Sequence, residues 1–99
     1  MSDPTPSGPN FPIARILPGI SSTVRWAVLR ELAKGDPLPI YELANRLRMS
    51  ESAMSKQMAV MRRAGLVVNP YSSYQFPAGV LSADRKTADY GCVVLRLDR

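Results

Sequence analysis

The sequence predicts a small α+β domain: three helices, a tight turn between the last two, then a C-terminal two-stranded antiparallel ribbon. Three observations carry that expectation. Apolar residues recur at helical spacing through residues 21–35 and again through residues 40–64. Ser50 and Gly65 bracket the longest of these runs, one a good N-cap and the other a good left-handed C-cap. Beyond Gly65 the chain turns to β-branched and aromatic residues, ending in the alternating stretch "VVLRLD".

Length and composition narrow the function. Ninety-nine residues suffice for one domain, and 45% hydrophobic with 21% charged is an ordinary globular balance. The net charge is +5, from ten arginines and three lysines against eight acids, which suits a polyanionic partner such as nucleic acid. Histidine is absent and Cys92 is the single cysteine, so the usual general base and the usual transition-metal ligands are missing. The carboxylates are scattered and no glycine-rich phosphate loop is present, so neither an enzyme nor a bound metal or cofactor is expected. No apolar run approaches the ~20 residues of a membrane span, and "MSDPTPSGPN" has no signal-peptide pattern. A cytoplasmic protein is expected, nucleoid-associated or in a host cytoplasm if viral.

Residues 1–10 read as a proline-rich disordered tail, residues 11–20 as an apolar arm, and residues 21–99 as the folded domain. In the arm, Phe11, Ile13, Ile16 and Leu17 are too apolar to be left in water. The first helix, "SSTVRWAVLRELAKG", opens on Ser21 or Ser22 and closes at Gly35. Val24, Val28 and Leu32 share one face of it, with Leu29 at the edge, whereas Trp26 falls nearly opposite. An indole so placed needs a cover outside the simple core. The arm and Trp26 are therefore expected to form a homodimer interface, with packing of the arm on its own subunit as the alternative.

The stretch "IYELANRLRMSESAMSKQMAVMRRAGLV" is the informative one. Two short helices joined by a tight turn make a helix-turn-helix, with the small Ala44 where the second crosses the first. Leu47, Met49, Met54, Met58 and Met61 are placed to close the core beneath both. The opposite face of the last helix carries Ser52, Lys56, Ala59 and Arg63, with Ser55 and Arg62 flanking. Short side chains there let a helix sink into the major groove of double-stranded DNA. Ser52 and Ser55 can bond phosphates or base edges; Lys56 can reach guanine and Gln57 adenine; Arg62 and Arg63 suit phosphates.

The stretch from Thr23 to Val68, with "VLRELAKG", "ELANRLRMSESAMSKQMAVMRRAGLV" and the ribbon that follows, resembles the winged helix-turn-helix core of ArsR-type repressors. That resemblance implies a dimeric transcriptional regulator, acting as a repressor at an inverted-repeat operator. It places Ser52, Ala53, Ser55, Lys56 and Gln57 in the major groove, beside the cap residue Ser50. It also makes the ribbon a wing, with Arg85 and Lys86 of "SADRKTAD" as its cationic tip. Metal-sensing members carry cysteine or histidine ligands, and this chain lacks such a set. No helix follows the ribbon before Arg99, so dimerisation is expected to rest on the first helix and the arm. A winged-helix module that binds protein is the competing reading, since fold alone does not separate the two uses.

Overall fold

Serine caps and positive-φ turns divide the chain into its elements. The structure, a computed structural model, describes Ile16 and residues 22–98. Its helices are α1 (Thr23–Leu32), α2 (Ile40–Arg46) and α3 (Glu51–Arg63). Its strands are β1 (Leu38–Pro39), β2 (Ser73–Tyr74), β3 (Thr87–Asp89) and β4 (Val94–Arg96). Ser22 caps α1, its hydroxyl accepting the Arg25 N–H at 3.5 Å. Ser50 caps α3 in the same way, accepting from Ala53 N–H at 3.1 Å. Each cap satisfies a helix-end donor that would otherwise have no partner.

The turn between α2 and α3 has a specific cause. Arg48 takes a left-handed conformation, φ 55°, and Met49 N–H donates to Ala44 carbonyl at 2.8 Å, reversing the chain in residues 47–50. The same motif ends α3, where Gly65 has φ 85° and Leu66 N–H donates to Met61 carbonyl at 2.9 Å. Arginine adopts this conformation less readily than glycine, so the first turn carries strain that the packing of α2 on α3 offsets.

The core lies between the three helices and the inner face of the ribbons. Val28, Leu29, Leu43, Met54, Met58, Met61 and Leu66 are completely buried, and Ala44 nearly so. The methionine stripe of α3 is core, as its spacing indicates, and Leu47 and Met49 pack half-buried against it. Val94 and Arg96 face outward while Leu95 and Leu97 face inward, the alternation expected of the last strand. Ile16 is fully buried in this same cluster. That side chain packs within its own chain, as the alternative reading of the arm has it. Phe11, Ile13 and Leu17 lie outside the described residues, as does the tail of residues 1–10.

The region after α3 differs from a single ribbon with a loose loop. It folds as two hairpin systems. The first spans residues 68–75, closed by reciprocal Val68–Gln75 backbone bonds of 2.9 Å, and its β2 pairs antiparallel with β1. The second pairs β3 with β4 and bridges Leu81 to Ala88. The polar stretch "SADRKTAD" is a tight turn over residues 82–86 that runs into β3. Ser82 hydroxyl donates to Asp84 at 2.6 Å, Asp84 accepts from Lys86 N–H at 3.1 Å, and Ser82 and Thr87 pair through their backbones at 3.0 Å. The Ser82 hydroxyl, and after it the Lys86 N–H, hold the Asp84 carboxyl below the usual carboxylate range.

Tyr90 locks the second hairpin system to the helices. Its hydroxyl donates to the Leu66 carbonyl at 2.8 Å in a fully buried position. Tyr90→Phe is expected to cost about 1–2 kcal/mol, read as a lower urea midpoint with unchanged m-value. Burial pushes the Tyr90 phenol well above its ordinary value of 10.0. The folded chain therefore keeps a proton that the unfolded chain releases above about pH 10, and stability present below that pH is lost as pH rises. In Tyr90→Phe this part of the alkaline loss should be absent.

Candidate nucleic-acid interface

Helix α3 is built with two unlike faces. Met54, Met58 and Met61 are fully buried on one, and Ser52, Ser55, Lys56, Arg62 and Arg63 are exposed on the other. Ala53, Ala59 and Val60 lie half-buried along the edges. Alanine and serine near the N-terminal end keep the outer surface close to the helix axis. Lys56 stands in its middle, and Arg62 and Arg63 lie in its last turn, where their charges also suit the helix dipole. The surface is short, polar and cationic.

Two of the expected contact residues have partners within the chain. Ser50 is exposed, but its oxygen already accepts from Ala53 N–H, so its proton is what it has to offer a phosphate. Gln57 is half-buried, and its side-chain oxygen accepts from Arg25 Nε at 3.0 Å. A bidentate contact to adenine uses both the oxygen and the nitrogen of a glutamine amide. Arg25 would have to release Gln57 for that contact. The wheel places Gln57 near the core side of α3, and α1 makes use of it there.

Arg85 and Lys86 sit on the turn of the second hairpin system. Arg85 folds back onto the end of α1, its Nη1 donating to Lys34 carbonyl at 3.0 Å. Its guanidinium lies where a side chain at Gly35 would stand, 3.0 Å from an ideal Cβ position. Lys86 is exposed beside it. Arg85 is thus tied to the end of α1, and the hairpin that directly follows α3 is that of residues 68–75. Sequence reasoning missed this division because the β1 pairing that defines the first hairpin involves only two residues per strand.

Trp26 lies half-buried on the far face of α1, with the Arg30 guanidinium 5.8 Å from its ring. It borders an open groove of about 500 Å³ whose other walls are Thr23, Arg30, Val94, Leu95 and Arg96. Val94 is 55% exposed there. The indole packs against the edge of the core cluster from this side and is half-exposed to the groove, so part of the cover that its wheel position calls for comes from its own chain.

The family described as "Helix-turn-helix domain" matches residues 20–69, which takes in α1, α2, the turn and α3. The chain belongs to the helix-turn-helix family. It is 39% identical over 56 residues to the HTH-type transcriptional regulator NmtR of Mycobacterium tuberculosis, a match covering 57% of this chain. That match spans 46% of the regulator's own length. A solved structure, HlyU from Vibrio cholerae, superposes with TM-score 0.57 and 28% identity, over 67% of this chain and 75% of that one. The helix-turn-helix here is accordingly of the winged, ArsR-like type, in an α+β fold. By its name the Mycobacterium protein is a transcriptional regulator of the helix-turn-helix type. Among the described residues no group of three or more metal-ligating side chains occurs, and no helix is long and apolar enough to cross a membrane.

Proposed function

We propose that this chain is a sequence-specific regulator of transcription that represses by occupying double-stranded operator DNA. The observation that carries this reading is the pairing of a buried methionine face with a short, cationic outer face on α3. In the proposed complex the N-terminal half of α3 enters the major groove, with Ser52, Ala53, Ser55 and Lys56 nearest the bases. Arg62 and Arg63 meet phosphates, and Ser50 donates to a phosphate from the cap. The hairpin of residues 68–75 takes the place of the wing, because it leaves α3 directly and is tied to β1 of the helix pair. Lys86 is a peripheral phosphate contact, and Arg85 holds its turn against α1.

The regulator acts as a homodimer in this proposal, with Trp26 and the groove beside it in the interface and an inverted repeat as its operator. The half-exposed apolar Val94 next to the indole supports that surface as a contact. Selection of bound sequences from random duplex DNA tests the function and the symmetry together. Enrichment of an inverted repeat is expected, its half-sites about one helical turn apart. A selection that enriches nothing above the starting pool would sink the proposal and leave the helix pair as a protein-interaction module.

A further inference from the structure

One aromatic residue stands out on the surface beyond α3. Tyr71, at the tip of the residue 68–75 hairpin, is 90% exposed, more than any other exposed large hydrophobic among the described residues. Its position is set by structure on both sides. The Val68–Gln75 bonds close the hairpin, β2 pairs with β1 through Leu38–Tyr74 and Pro39–Ser73, and Ser72 takes φ 64° to complete the turn. The hairpin "VNPYSSYQ" contains no lysine, arginine, aspartate or glutamate. The cations nearest in sequence are Arg62 and Arg63, at the end of α3.

We propose that Tyr71 is an uncharged DNA contact, its ring lying against a deoxyribose and its hydroxyl donating to a phosphate oxygen. This rests on the DNA-binding reading above and specifies how its wing works. A ring with a hydroxyl at one end matches the sugar–phosphate edge, which is apolar at the sugar and accepting at the phosphate. A neutral donor bonds a phosphate without replacing its condensed counterion, so it adds affinity that salt does not weaken. The two contacts of the interface are then of different kinds: α3 supplies the salt-dependent part and the hairpin a salt-independent part.

Binding of the full chain to a selected duplex, measured across a salt series, tests this. Tyr71→Ala should weaken binding about ten-fold, in the range of aromatic contacts to nucleic acid, with the slope of log affinity against log salt unchanged. Tyr71→Phe should lose about three-fold, the part due to the hydroxyl. Tyr71→Lys should bind at low salt and steepen the slope by about 0.9, because a cation at the tip now displaces a counterion. Thermal midpoints of all three should equal the parent's, since the side chain packs on nothing that holds the fold. Parent-like affinity in Tyr71→Ala, or an unchanged slope in Tyr71→Lys, would overturn the inference while leaving α3 as the reader. A parent that binds no duplex overturns both.

Discussion

Ser52→Glu and Ser55→Glu are each expected to abolish binding to duplex DNA while leaving the fold intact. Both serines are exposed on α3, on the side away from Met54, Met58 and Met61. A carboxylate there would stand among phosphates, in a groove whose potential is already strongly negative. Neither position contacts the core, and an exposed helix substitution costs within about 0.5 kcal/mol of stability. In the proposed complex Lys56→Ala removes a base contact without adding repulsion, and should cost about 1–3 kcal/mol on the specific site. Gel-shift or anisotropy titrations, with thermal midpoints as the fold control, check all three. A Ser52→Glu variant that binds as the parent does would remove α3 from the interface.

The largest effect on stability is expected at the opposite face. Met58 is completely buried between the helices. Met58→Lys puts an ammonium there, and among the described residues the buried set holds no charged side chain to pair with it. Desolvating an unpaired charge costs several kcal/mol after relaxation, against a total stability of about 5–15 kcal/mol for a domain. The variant should be unfolded at neutral pH, with far-ultraviolet circular dichroism and amide dispersion lost together. A folded Met58→Lys with the parent's thermal midpoint would mean that the methionine stripe is not the core.

These two faces were legible in the sequence because a helix repeats every 3.6 residues, and methionine at 54, 58 and 61 leaves serine and lysine on the far side. The caps were legible for the same local reason: Ser22, Ser50 and Gly65 each act on a backbone group within a few residues. The hairpins were not. What separates residues 68–75 from the later ribbon is a pairing of β2 with β1, more than thirty positions away in the chain, and no local pattern reports it. The Arg25–Gln57 bond is equally non-local, and it engages within the chain the side-chain oxygen of a glutamine that family position alone would put in the groove. The family resemblance alone made Arg85 a wing tip; its exposed guanidinium bonds the Lys34 carbonyl at the end of α1, a contact between residues 51 positions apart that no local pattern reports. Ile16 reads in sequence as part of an arm that packs on its own domain or on a partner, and long-range packing puts it in the core of its own chain.

The reading of α3 as the element that recognises DNA is tested most directly by the base-preference profile of Lys56→Ala. Random-duplex selection would be run in parallel with the parent and the variant, at one salt concentration. Preference should fall at a single base pair in each half-site and stay as in the parent everywhere else. A variant profile identical to the parent's, at equal affinity, would contradict that reading.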